Sequence, residues 1–320
     1  MKTPHLIWIL VLFFGLWACK KEPLEHPETK TGTMVVAQSE DSSASPSPQP
    51  ISENRSSLFW KVSGGDLEKP SYLFGTIHLI PEPQLGFIPT LDSLLLLSDR
   101  LVLEANPRDP AIQAASSKHA VLDPSLIQDM YTPAEMAMLS HFCDSIGLDF
   151  NQLVRYQPLV IAQLITTRVL GAAYPLTSYE DELIQLAEKR GVILDGAEGP
   201  DYVYSYLSKL DALEQADNLV LLTETAKQDP RLGYDEMLDT YLRQDIEGLY
   251  NLVKTGMGSS PENINILVSE RNEYWLSHGL IDQHESRFIA VGSGHLYGER
   301  GLIQLLKKKG YKVESIQVSK

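Results

Sequence analysis

Short apolar runs bounded by turn or polar residues constrain the fold of this chain more than any other feature. Such runs are typical of strands in a sheet that is covered on both faces, rather than of helices. Four of them occur, at residues Ser71–Thr76, Arg100–Ala105, 191–198 and 287–293. Two more segments, 58–64 and 311–318, alternate between apolar and polar residues and are predicted to be edge strands.

Helix signals dominate the middle of the chain. Thr132 is expected to cap one helix, with Pro133 at its first position and Glu135 completing a capping box. Ser178 is expected to cap another helix that stops at Gly191. Further helices are predicted at residues 158–170, 202–226, 234–255 and 262–279. The fold class is therefore α/β (α+β), with a central mixed sheet built from the N- and C-terminal parts of the domain and a large helical insertion.

The N-terminus has the features of a bacterial lipoprotein signal. Lys2 precedes an apolar stretch at residues 6–17, and Cys19 follows at the expected position of lipid attachment. The stretch is shorter than the roughly 20 apolar residues that a membrane-spanning helix needs. Residues 1–19 are therefore predicted to be a signal peptide ending at a lipidated Cys19, which makes the membrane a partner. An uncleaved signal anchor is the alternative.

A tether and one domain are expected to follow the signal. Residues 20–57 are rich in Pro, Ser, Glu and Lys and are predicted to be disordered, because they offer little that could pack. Residues 58–320 are long enough for one domain with a helical insertion. Lys20 differs from the aspartate that usually retains lipoproteins in the inner membrane, so the outer membrane is favoured.

Charge and cysteine content exclude some classes of partner and site. The net charge of −15 is spread along the chain, which argues against nucleic acid as a partner. The chain has 2 cysteines, so once Cys19 carries lipid neither an intramolecular disulfide nor a cysteine-based zinc site is possible. Cys143 falls in a predicted helix and is expected in the core.

Two Gly-x-x-His motifs directly follow predicted strands. The first runs from Gly75 to His78 and the second from Gly292 to His295. Each glycine is expected to permit a sharp exit from its strand, which leaves the histidine just beyond the strand's carboxyl end. One such motif is a weak signal, but two of them at opposite ends of the domain indicate a shared site.

Glu104 ends a third apolar run and is expected at the same edge of the sheet. Two imidazoles and a carboxylate are a common ligand set for a divalent metal, so His78, Glu104 and His295 are predicted metal ligands. The alternative is structural: histidines at strand ends often hydrogen-bond a neighbouring loop, and Glu104 is then an ordinary turn residue.

Several segments together resemble the TraB/GumN family, which is related to the Tiki proteins. The resemblance runs from about residue 58 to residue 318 and rests on the segments "LFWKVSGGDLEKPSYLFGTIHLIP", "LVLEAN", "SERNEYWLSHGL" and "RFIAVGSGHLYGERGLIQLLKKKGYKVESI". It implies a metal-dependent peptidase in which the two histidines and Glu104 carry the chemistry. The ion would be divalent, with Mn, Co and Zn not distinguished. Similarity to the wider erythromycin-esterase-like and haem-binding ChaN-like group leaves other chemistries open.

Three further residues follow from the family-like segments. Glu198 ends another apparent strand and is a candidate general base, or a carboxylate that supports the ligands from behind. Asp181 lies where the family usually carries a Gly-x-Asp pattern, although Tyr179 stands in the glycine position and a helix-capping role also explains Asp181. Arg271 is predicted to hold Glu104 or Glu198, or to bind a substrate carboxylate. Its alternative role is an ion pair on a helix surface.

The leading functional prediction is a lipid-anchored, extracytoplasmic, metal-dependent hydrolase that acts on a peptide or small molecule. The alternative is a non-catalytic lipoprotein that binds haem or another small ligand in the same cleft. A structural lipoprotein with a degenerate site is the least favoured option, because both motifs and Glu104 are present.

Overall fold

The computed structural model describes residues 56–127, 130–231, 233–256 and 260–318. The predicted signal peptide, Cys19 and almost all of the predicted tether lie outside these residues. Within the described part of the chain, none of the helices has the length and apolar character needed to cross a membrane.

A mixed sheet of six strands forms the centre of the domain. The strands of the described residues are β1 (Phe59–Ser63), β2 (Ser71–Thr76), β3 (Ile80–Pro81), β4 (Arg100–Ala105), β5 (Leu176–Thr177), β6 (Ile193–Glu198), β7 (Arg287–Gly292) and β8 (Lys312–Ile316). The sheet order is β6-β4-β7-β2-β1-β8, and β3 pairs separately with β5. The strands from β6 to β2 are mutually parallel, whereas β1 is antiparallel to both of its neighbours. The predicted class and the contribution of both ends of the chain are confirmed.

The edges of the sheet differ in part from the sequence prediction. β8 is an edge strand as expected, but β1 lies between β2 and β8, and the second edge is β6. The alternation within β1 reflects unequal cover of its two faces, because Trp60 and Val62 on one face are buried while Lys61 and Ser63 on the other are half-buried. β6 is half-exposed along most of its length, as befits a strand with one neighbour.

Helices fill the rest of the described chain. They are α1 (Ile88–Leu96), α2 (Pro110–His119), α3 (Pro124–Ile127), α4 (Pro133–Ser145), α5 (Phe150–Leu153), α6 (Pro158–Ala173), α7 (Tyr179–Arg190), α8 (Ala212–Gln228), α9 (Tyr234–Leu242), α10 (Ile246–Gly256), α11 (Pro261–Ile264), α12 (Glu270–Ser277) and α13 (Leu302–Lys308). Thr132 and Glu135 form the predicted capping box of α4. Ser178 caps α7, which ends at Gly191 in the left-handed conformation.

Three of the predicted long helices are interrupted. The 202–226 segment contains a short 3-10 helix, Ser205–Lys209, before α8 begins. Gln244 has a φ of 58° and separates α9 from α10. A π-helical turn, Asn265–Ser269, separates α11 from α12. None of the three interruptions contains the glycine or proline that usually marks a helix break. The apolar periodicity alone therefore predicted each segment as one continuous helix.

The helical insertion has a hydrophobic core of its own. Phe142, Phe150 and Ile161 belong to this core, and Cys143 is fully buried in it as predicted. A separate, larger core covers the sheet and includes Phe74. Part of the insertion therefore has a core separate from that of the sheet.

Candidate functional site

The carboxyl ends of four adjacent parallel strands define the candidate site. β6, β4, β7 and β2 lie side by side and end at the same edge of the sheet. In the pairing of β2 with β7, Thr76 lies opposite Gly292, so the two Gly-x-x-His motifs lie side by side with an offset of one residue. Parallel strands end together, which explains how residues far apart in sequence reach one edge.

The first glycine serves close packing rather than a turn. Gly75 is a regular residue of β2, and a Cβ atom there would lie 2.7 Å from Leu296 Cδ1 and 3.1 Å from Ser293 Cα. The expected sharp exit at Gly75 is therefore wrong, because this glycine lets the second motif pack against the first. Gly292 does end its strand, and its N–H donates to Glu104 Oε1 at 2.9 Å.

Arg271 is the centre of a buried charge cluster. It comes from α12, directly after the π-helical turn, and only 1% of the residue is exposed. Its Nη2 donates to Glu104 Oε2 at 2.5 Å, and its Nε donates to Glu198 Oε1 at 2.6 Å. Its guanidinium carbon lies 4.7 Å from the ring centre of Tyr206 and 4.9 Å from that of Trp275. The surface ion-pair interpretation is therefore wrong, and Arg271 holds Glu104 and Glu198 at once.

His295 is fully buried and has a defined orientation. Asn272 donates through Nδ2 to the carbonyl oxygens of His295 and Arg300, at 3.2 and 2.9 Å. Its Oδ1 is therefore free to accept, and it lies 2.8 Å from His295 Nδ1. The proton of the neutral ring consequently resides on Nδ1, and the Nε2 lone pair points into the site. This Nε2 accepts a hydrogen bond from Arg271 Nη1 at 3.4 Å and lies 3.8 Å from Glu104 Oε1.

His78 is oriented by a residue that the sequence reasoning missed. His78 Nδ1 lies 2.8 Å from Glu180 Oε1, and Thr76 donates its hydroxyl to the same oxygen at 2.5 Å. Because the carboxylate accepts, the Nδ1 atom of His78 carries a proton. His78 Nε2 is buried and has no hydrogen-bond partner among the described residues.

The two histidines differ in their electrostatic surroundings. Burial lowers the pKa of His78, but the charge of Glu180 and its hydrogen bond outweigh burial, so the pKa is raised overall. Burial, opposed in part by Glu104 and reinforced by Arg271, lowers the pKa of His295 to about 3. His295 is thus neutral near pH 7, and its approach to Glu104 is not an ion pair.

The two carboxylates also differ. Burial raises the pKa of Glu104, but Arg271 and the histidines outweigh burial and hold that pKa well below its usual range. For Glu198, burial prevails over Arg271, so its pKa is raised. Glu198 Oε1 accepts from both Arg271 and the indole N–H of Trp275, which lies 3.0 Å away. One carboxylate is therefore firmly ionised, and the other binds a proton more readily.

Asp181 lies away from this cluster. Its side chain is exposed, and its backbone N–H donates to Ser178 Oγ at 3.0 Å, which is the capping role. The preceding residue, Glu180, reaches His78 instead. In this turn of α7, therefore, the side chain that contacts His78 is that of Glu180 and not that of Asp181. Asn272 and Trp275 were also missed, although both lie within one helical turn of Arg271.

The donor atoms suit a divalent metal ion in their chemistry. Each histidine is buried and has Nδ1 hydrogen-bonded to an acceptor, which is how metal-ligating histidines are usually held. Glu104 presents Oε1 toward His295 while Arg271 binds Oε2. Within the described residues, no group of three or more His, Cys, Asp or Glu side chains is arranged so that it could hold a metal ion. The donor types therefore fit a divalent ion, whereas their arrangement among the described residues does not by itself form a metal site.

The comparison with known protein families agrees with the resemblance drawn from the motifs. Neither the curated proteins nor the solved structures gave a match to this chain. The model of the TraB/PrgY/gumN family matches residues 58–315, which include both Gly-x-x-His motifs, Glu104, Glu198 and Arg271. Because this match covers most of the sequence, the chain belongs to the TraB/PrgY/gumN family.

Proposed function

We propose that this protein is a lipid-anchored, extracytoplasmic, metal-dependent hydrolase that acts on peptides. The observation that carries the proposal is the matched hydrogen bonding of the two buried histidines, each of which has Nδ1 held by a side-chain oxygen from a helix. His78, Glu104 and His295 would hold the ion. When bound, a divalent ion polarises a carbonyl group and lowers the pKa of a water molecule.

The remaining residues of the cluster have distinct roles in this proposal. The raised pKa of Glu198, which burial causes, suits a general base that takes a proton from the attacking water and passes it to the leaving group. Arg271 binds both carboxylates, so it positions Glu104 and Glu198 and has no free face of its fork for a substrate carboxylate.

Metal analysis with matched histidine variants tests the site. The wild-type domain is expected to bind Mn²⁺, Co²⁺ or Zn²⁺ with one-to-one stoichiometry, and His78→Ala and His295→Ala are expected to lose it. His284→Ala is the control, because His284 is exposed and contacts Glu68. Stoichiometric metal in the His78→Ala/His295→Ala double variant would refute the ligand assignment.

Activity needs a separate test. Metal-dependent cleavage of a diverse peptide library is expected for the wild-type protein and should disappear in His78→Ala. Metal binding without turnover of any peptide would contradict the hydrolase and favour a ligand-binding lipoprotein.

The membrane anchor rests on the sequence of the N-terminus. Full-length protein expressed in bacteria is expected to incorporate labelled palmitate and to fractionate with outer membranes. Cys19→Ser should abolish both, and retention of the label in that variant would contradict lipidation at Cys19.

A further inference from the structure

The first Gly-x-x-His motif is hydrogen-bonded by a side chain of the helix α7. Glu180 lies in the first turn of α7, and its Oε1 accepts hydrogen bonds from Thr76 Oγ1 and His78 Nδ1. Thr76 and His78 both belong to the segment that leaves β2. One carboxylate oxygen therefore fixes two residues of the motif, over a sequence separation of about one hundred residues.

We propose that Glu180 is the positioning residue of the first motif: it holds His78 in the Nδ1–H tautomer so that the Nε2 lone pair faces the site. The role of Glu180 toward a metal rests on the function proposed above, whereas its control of the tautomer does not.

In the second motif the histidine Nδ1 is also held by a side chain, but the acceptor is uncharged. Asn272 Oδ1 accepts from His295 Nδ1, and the two carbonyl contacts of its Nδ2 fix the direction of the amide. Both histidines are thus held through Nδ1 by a side chain from a helix, but the acceptor is a carboxylate for His78 and an amide for His295. A charged acceptor makes its imidazole the stronger electron donor. The two motifs are therefore predicted to be unequal, with His78 the stronger ligand.

A merely structural role for Glu180 is the competing explanation, since the side chain also fastens α7 to the end of β2. Two features of its surroundings argue for more. Glu180 Oε2 is buried without a hydrogen-bond partner among the described residues, and so is His78 Nε2. A side chain that only fastened a helix would leave no reason for either atom to remain unsatisfied, since each costs free energy.

Nitrogen NMR of the histidine rings tests the proposal in the metal-free, full-length protein. Long-range proton–nitrogen correlation distinguishes Nδ1–H from Nε2–H tautomers at a pH where the ring is neutral, and His78→Ala assigns the signal. Wild type and Glu180→Gln, which keeps an acceptor, are expected to show Nδ1–H at His78. Glu180→Ala and Glu180→Met lack an acceptor and should populate Nε2–H. Asp181→Ala is the matched control and should leave the tautomer unchanged.

Calorimetric titration with Co²⁺ gives the second readout. Removing such a partner typically costs about 10- to 100-fold in metal affinity, so Glu180→Met should lose that much and Glu180→Gln less. An Nε2–H tautomer in wild type, or an unchanged Nδ1–H tautomer in both acceptor-free variants, would overturn the proposal. If wild type binds no Co²⁺ while the tautomer changes as expected, the proposed function fails and the positioning role of Glu180 stands.

Discussion

Replacing Arg271 by methionine is expected to destabilise the domain strongly. The substitution leaves Glu104 and Glu198 without their cation, and these residues are only 5% and 2% exposed. Removing one partner of a buried ion pair typically costs about 3–5 kcal/mol, because the remaining charge cannot be solvated. Since one change here strands two carboxylates, the expected loss at pH 7 is at least about 3 kcal/mol.

The destabilisation caused by Arg271→Met should be larger at neutral pH than at acidic pH. In wild type, Arg271 and the histidines overcome burial and lower the pKa of Glu104, so its contribution is present above the unfolded-state pKa and is lost as the pH falls toward the folded value. Without Arg271, burial is expected to prevail and to raise the pKa of Glu104. Its contribution is then lost as the pH rises above the unfolded-state value. The difference in the free energy of unfolding between wild type and Arg271→Met should therefore increase from acidic to neutral pH.

Urea unfolding followed by tryptophan fluorescence at several pH values measures this gap. A triple variant, Arg271→Met with Glu104→Gln and Glu198→Gln, removes all three charges and is expected to recover most of the loss at pH 7. A gap below about 1 kcal/mol, the scale of an exposed ion pair, would refute the reasoning. So would a gap of constant size between acidic and neutral pH.

Three further predictions concern the packing around the first motif and the ends of the domain. Gly75→Ala should destabilise by about 1–3 kcal/mol in urea unfolding, because its Cβ would lie 2.7 Å from Leu296 Cδ1; an unchanged midpoint would contradict the close packing of the two motifs. Tyr241→Phe removes the 2.9 Å hydrogen bond from the phenol to the Gly75 carbonyl and should cost about 1 kcal/mol, again seen as a lower midpoint. Gln244→Ala and Gln244→Gly both lose the 2.8 Å bond to the Val318 carbonyl, but the glycine variant should melt higher because φ is 58° at this position; the reverse order would show that strain there is unimportant.

The sheet was largely predictable from the sequence because its strands are short, apolar and clearly bounded. β2 and β4 begin and end where the apolar runs do. Their parallel adjacency to β7 then brings Glu104 and both histidines to one edge, which is a general property of such sheets. The prediction extended to Glu198 and Arg271 only with the help of the family resemblance.

The partners of the histidines were not predictable in the same way. Glu180 and Asn272 lie on helices whose approach to the strand ends depends on tertiary packing, and no spacing in the sequence encodes that approach. An acidic residue in the first turn of a helix has a sufficient local explanation, since it favours the helix N-terminus. Because this local explanation is sufficient, nothing in the sequence indicated that Glu180 contacts His78.

The buried charges at the strand ends are better explained by a function than by stability. An ion cluster such as that of Glu104, Glu198 and Arg271 rarely stabilises a fold more than well-packed apolar side chains of similar size would. The unsatisfied Nε2 of His78 adds a further cost. Both costs fall at the edge where four parallel strands end, the position at which folds of this kind bind ligands. A ligand that accepts the lone pair of His78 Nε2, as the proposed metal ion would, offsets the second of these costs.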